Sequence, residues 1–209
     1  MRRKNARMRM MVITHHGAQC FKVTFGDLTL VFDPIAKGGS APPVRFGADI
    51  ALVSHNHPDS NGIEEVTYGG KVPFAITGPG EYERSGVTIR GFLSRGPDGS
   101  VNTIYMVQLG DMTLVHLGAL ATAELPAETR EALDEVDVLF TPVALAKAHE
   151  LAVSLEPHII VPMGFESSDD KSLATFLKEA GNGSEKMEKL TLKKRDLVGR
   201  EGSILVIIS

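Results

Sequence analysis

The order in which β-forming runs appear is the strongest constraint on how this sequence can fold. Three short runs, "MVIT" from Met11, "CFKVTFG" and "LTLVFDP", come before any helical spacing, and Gly26-Asp27 between the last two is a hairpin signal. Beyond a Gly/Pro-rich loop at 37–47, "ADIALVSH" and "KVPFAIT" read as strands. A Gly-Pro-Gly turn at 78–80, the run "GVTIRGFL", and a second hairpin made by "NTIYMVQLG" and "MTLVHLGA" around Gly110-Asp111 follow. Helical spacing enters at about 126–135, with Pro126 suited to a first turn, and returns in "ALAKAHELAVSLEP" and "DDKSLATFLKEAG". The strands "VDVLFTP" and "HIIVPM" lie between these helices, and "GSILVIIS" is a last strand. The Gly/Ser/Lys segment 181–189 reads as a surface connection. Antiparallel strands first and strand–helix alternation afterwards imply sheets packed together with helices outside, an α/β chain of layered type.

The chain has 209 residues, 43% of them hydrophobic, enough for one ordinary core. The expected organisation is a single domain over 11–209, preceded by a basic, disordered extension over 1–10. No apolar run reaches the roughly 18 residues of a membrane span, and no membrane partner is expected. A net charge of −4 with acids and bases interspersed disfavours nucleic acid, and the basic "MRRKNARMR" arm is the one feature that could touch phosphate. The single cysteine, Cys20, cannot form an internal disulfide. It reads as a small core residue in a cytoplasmic protein.

Chemistry concentrates in "SHNHPDS". His55, His57 and Asp59 follow a strand at alternate positions, and imidazole and carboxylate are preferred ligands of zinc and its first-row neighbours. Asp59 is also the candidate catalytic residue, as the group that would orient a water. Ser54 and Ser60 stand near these histidines, but the sequence shows neither the orienting acid nor the oxyanion hole that a serine hydrolase needs. "GPGEY" has too few glycines for a phosphate loop.

These motifs, with "VITHHGAQCFKV", "GPGEYERSGVTIRG", "LVHLGAL", "VDVLFTPV" and "LEPHIIVPMGF", resemble the metallo-β-lactamase fold superfamily over nearly the whole chain. The similarity is greatest to its Zn-dependent hydrolases of the ascorbate-phosphate-lactonase-like branch. The resemblance implies a four-layer αβ/βα sandwich with the metal site at the sheet edges, and Asp33-Pro34 and "GPGEYE" are positional markers of the branch. It also implies a ligand set that this sequence fills unevenly. His55, His57 and Asp59 match the first three positions of an HxHxDH loop, and Ser60 stands at the fourth. No histidine lies between His57 and His116, and Arg95 falls near the missing fifth ligand. Ala119 replaces a bridging aspartate, and Gly164 replaces the last histidine.

The expected protein is therefore a degenerate member, non-catalytic, that binds a small molecule in the ancestral cleft as a binding or regulatory module. The alternative is a metal-dependent hydrolase of a lactone, ester or phosphoester with a residual mononuclear site. One weakly held zinc or other divalent cation, or none, are both expected outcomes. Rebuilding of the site by His15 or His16, pairing of Asp59 with Arg95, and homo-oligomerisation are left open. His116, His149 and His158 are expected in packing or solvent roles.

Overall fold

Alternation of buried and part-buried side chains along the first strands builds a sheet with two covered faces. The structure, a computed structural model, describes residues 10–181 and 183–208; the expected extension falls almost wholly outside them. Strands β1 (Met11–His15), β2 (Phe21–Phe25) and β3 (Leu28–Phe32) form the antiparallel meander, with Gly26 at φ +63 in the predicted turn. Strands β4 (Ile50–Leu52) and β5 (Phe74–Ile76) then add parallel to β3.

The second sheet starts with β6 (Gly80–Arg84), β7 (Val87–Arg95), β8 (Val101–Leu109) and β9 (Met112–His116), all antiparallel. It continues in parallel through β10 (Val138–Pro142), β11 (Ile159–Met163) and β14 (Ser203–Ile207). Helices α1 (Ala127–Ala132), α2 (Ala148–Ser154) and α3 (Lys171–Glu179) lie between these strands in sequence. The sheet orders are β13-β1-β2-β3-β4-β5 and β12-β14-β11-β10-β9-β8-β7-β6, where β12 is Glu185–Met187 and β13 is Leu190–Leu192.

Three sequence expectations need correction here. Segment 181–189 is not a plain connection, because β12 within it and β13 just beyond it close one edge of each sheet. Gly80–Arg84 is a strand, not merely the sequel of a turn. The helix expected from residue 144 begins only at Ala148, because Lys147 takes a left-handed conformation (φ +62) that a helix cannot include.

The main core lies between the sheets. Phe21 and Phe32 from the first sheet meet Phe140 of the second at ring distances of 4.6 and 5.6 Å. On the opposite face of the first sheet, Cys20, Val31 and Ala51 pack against Ile35, Val44, Ala48 and Val66. That outer layer is built from the 34–48 loop and a short 3-10 turn at Ile63–Val66, whereas all three described α-helices follow β9 in the chain. The arrangement is mixed sheets with flanking helices, as expected of the α/β class. The buried position of Cys20 pushes its thiol pKa far up, consistent with a core residue. No helix among the described residues is long and apolar enough to cross a membrane.

Tyr105 ties the sheets together at their polar end. From β8 its hydroxyl donates to Val53 O (2.9 Å), just past β4, and lies 3.2 Å from Ile76 O at the end of β5. Removing that hydroxyl leaves buried carbonyls without this donor. Tyr105→Phe should cost about 1–2 kcal/mol in urea unfolding, and unchanged stability would show the tie to be dispensable.

Candidate functional site

The chain leaves β4 at Leu52 and turns across the gap between the sheets. Asp33, wholly buried at the end of β3, fixes this turn: its carboxyl accepts from Ser54 N–H and from Ser54 Oγ–H, each at 2.7 Å. Asp33 sits at φ +45, a left-handed conformation that aspartate tolerates better than most residues. The Ser54 carbonyl in turn accepts from Thr103 N–H of β8 (2.8 Å), and His55 forms an isolated bridge with Asn102. Asn102 is also buried. Its amide donates to Ser94 Oγ (2.7 Å) and Leu117 O (2.9 Å), and its oxygen accepts from Ala119 N–H (2.8 Å). Gly118, at φ +61, passes so close that a Cβ would collide with Asn102 Oδ1 and Ser54.

Burial sets the protonation of this base. Desolvation pushes the Asp33 carboxyl up to about 7 against the opposing hydrogen bonds from Ser54. Desolvation also holds His116 down at about 3. The His116 contacts agree: Nε2–H donates to Gln19 O (3.1 Å) while Nδ1 accepts from Gly118 N–H (3.2 Å), which is the pattern of a neutral imidazole. The 3.9 Å approach of Asp33 to His116 is therefore not an ion pair. His116 stacks on Phe32 at 4.8 Å, the packing role expected of it.

Above this base lies a cleft of about 830 Å³. His55, His57 and Asp59 line it, and so do Ser60, Ala119 and Gly164, so positions up to 109 residues apart in sequence share one cavity. His55 Nε2 lies 3.0 Å from Ser100 Oγ. Because Ser100 donates its own proton to Pro97 O (2.6 Å), the imidazole is the donor in this pair. Desolvation, then the neighbouring His57, lower the His55 pKa. The two rings are parallel, with centroids 5.7 Å apart. His57 Nδ1 accepts from Asp59 N–H (3.3 Å) and stands 3.5 Å from the Asp59 carboxylate, which also accepts from Ser40 N–H. Ser60 is 2% exposed, and its hydroxyl has no hydrogen-bond partner among the described residues. Gly164 has φ +77 and donates its N–H to Ala18 O (2.8 Å), and a Cβ there would meet only Gln19, 3.8 Å away.

Other expectations fare differently. Arg95 is exposed, forms no ion pair with Asp59, and lines a neighbouring pocket with Leu93, Val101 and Leu120. Five residues further on, Ser100 is the member of that loop that reaches His55. His15 and His16 do not line the cleft: His15 is buried, donates to Ala18 O (3.1 Å) and stacks on Phe21, while His16 lies against Thr14 and Phe46. His149 packs edge-on against Phe176, and His158 lies 3.3 Å from buried Asp137. The sequence reading missed Ser100, Asp98, Phe165 and Glu166 as cleft residues. They lie in loops with no motif, and only the strand ends bring them together.

Comparison with known proteins follows the same lines. The sequence profile of the β-lactamase superfamily domain matches residues 12–164. A protein from Thermotoga maritima, assigned to the Zn-dependent hydrolases of the metallo-β-lactamase superfamily, is similar at 27% identity and a TM-score of 0.77, covering 94% of this chain and 98% of its own. A metallo hydrolase from Ignicoccus hospitalis shares the fold at 16% identity and a TM-score of 0.64, over 88% of this chain and 99% of its own. A metallo-β-lactamase fold protein from Bacillus subtilis does so at 12% identity and 0.57, over 95% and 97%. No curated protein matches the chain.

The base of the cleft yields two predictions. The Asp33 carboxyl, raised from 3.8 to about 7, keeps its proton in the fold where the unfolded chain has lost it, so its stabilising effect is full below pH 3.8 and disappears as pH rises through 7. The stability gap between wild type and Asp33→Asn should therefore widen on acidification from about pH 7 to 4, by roughly 1 kcal/mol per pH unit. Urea midpoints across that range test this, and parallel curves would refute it. Gly118→Ala should destabilise by more than about 2 kcal/mol, through collision with Asn102 and the left-handed backbone, measured by the same unfolding.

Proposed function

The chain belongs to the β-lactamase superfamily, and from that membership we propose that its cleft binds a small molecule without a resident dinuclear metal centre, as a non-catalytic binding or regulatory module. The observation that carries this reading is the joint presence of Ser60, Ala119 and Gly164 in the same cavity as His55, His57 and Asp59. These three residues offer no carboxylate or imidazole at the positions where the resemblance implies ligands.

The remaining donors do not fit a catalytic zinc, which takes about three protein ligands and an open water position. His55 Nε2 is bonded to Ser100, His57 Nδ1 to the Asp59 backbone and Asp59 Oδ1 to Ser40 N–H, which leaves one nitrogen or oxygen of each group without a hydrogen bond. Among the described residues no three His, Cys, Asp or Glu side chains stand together as an ion's ligand set. Without a metal to acidify a bound water there is no hydroxide nucleophile at neutral pH. Ser100 does not replace it, because its proton is directed to Pro97 O, away from the imidazole.

A second reading keeps enzymatic activity. His55, His57 and Asp59 still face one cavity with the two rings parallel, which favours a mononuclear hydrolase if Ser100 and Ser40 yield their hydrogen bonds. The first reading expects purified protein to carry far less than one zinc per chain by elemental analysis, and to leave lactones, esters and phosphodiesters intact with or without added zinc or manganese. Calorimetric zinc binding near one equivalent, abolished by His55→Ala, would overturn it in favour of the second.

A further inference from the structure

The charge of the cleft identifies the class of molecule it suits. Three carboxylates line it, those of Asp59, Asp98 and Glu166, and among the described residues its lining includes no lysine or arginine. Asp59 already accepts from Ser40 N–H. The side chains of Asp98 and Glu166 are exposed and have no hydrogen-bond or ion-pair partner among the described residues. They stand on different walls. Asp98 belongs to the turn between β7 and β8, and Glu166 follows β11, which lies three strand positions from β8 in the sheet. At the spacing of neighbouring strands this separates the two attachment points by roughly 14 Å.

A second, independent feature lies on the cavity wall. Ser60 is 2% exposed and lines the cleft, and its hydroxyl has no hydrogen-bond partner among the described residues, so it is free to meet a molecule in the cavity. Phe165 and Pro42 supply apolar wall nearby. A phosphate or carboxylate entering this cavity meets like charge on more than one side with no cation to receive it. An ammonium group meets the reverse, and the concave shape concentrates that field.

We propose that the cleft binds an organic polyamine, a flexible chain with two or more ammonium groups. Asp98 and Glu166 receive the charged ends, and Ser60 accepts a hydrogen bond from an inner N–H. The proposal rests on the reading that the cleft holds no resident metal, because a divalent ion at Asp59 would offset much of the charge that attracts the amine.

The test is titration calorimetry of the full chain with spermidine, and with zinc chloride, magnesium chloride and citrate at matched ionic strength. Spermidine should saturate near one equivalent and weaken as sodium chloride is raised, with citrate silent. Asp98→Asn combined with Glu166→Gln should raise the Kd for spermidine by about tenfold or more. Ser60→Ala should raise it a fewfold, and Glu131→Gln on the exposed face of α1 should leave it unchanged. Absence of saturable spermidine binding, citrate binding as tightly, or an unaffected double variant would each overturn the polyamine assignment. The first of these together with no zinc binding leaves the metal-free reading standing and removes the polyamine alone. Stoichiometric zinc that displaces spermidine would bring down both.

Discussion

The hold of Asp33 on Ser54 is the constraint from which the functional end of this protein is built. One carboxyl at the end of β3 takes both the backbone N–H and the hydroxyl of a single residue on the neighbouring strand end. Ser54 then passes the restraint to the other sheet through its carbonyl and Thr103. Everything beyond, including the placement of His55 and the entry of the 55–60 turn, starts from a point fixed on both sides. Burying the carboxyl carries a desolvation cost, and its raised pKa is the measure of that cost. Hydrogen bonds from Ser54 and a neutral His116 beside it keep the site compatible with a dry core.

Sequence pattern revealed the fold wherever side chains alternate toward a core. Strands β1 to β3, the Gly110-Asp111 hairpin and α3, whose Asp170 cap accepts from Ser172 and Leu173 N–H, were all legible. The misses share a cause. Gly80–Arg84 and Glu185–Met187 are edge strands made largely of exposed polar residues, so backbone pairing specifies them and no apolar period announces them. At Lys147 the sequence has ordinary helical composition, and only the tertiary path of the 142–147 turn forces the left-handed residue.

The site divided along similar lines. Six positions flagged from motif order converge on one cleft, because parallel strands deliver their C-terminal ends to a common edge and the antiparallel hairpins meet it with their connecting loops. The pairing of Arg95 with Asp59, left open from the sequence, is not formed, because proximity along a loop is not proximity in space. In the fold, the 97–100 turn folds back, so Ser100 meets His55 while Arg95 faces a separate pocket. Asp98 and Glu166 carry no local signature at all, and their common role exists only once β8 and β11 share a sheet.

Gly164 bears on which side chains the cleft wall can carry. Its backbone has settled at φ +77, held by the bond from its N–H to Ala18 O and by the adjoining bridge between Ala18 and Phe165. The space beside it is open, so a larger residue would be refused by conformation and not by crowding. A histidine installed there would begin roughly 1–2 kcal/mol in deficit from its left-handed backbone before meeting any ion. Position 164 thus limits what the cleft wall can carry through its own backbone, not through its neighbours.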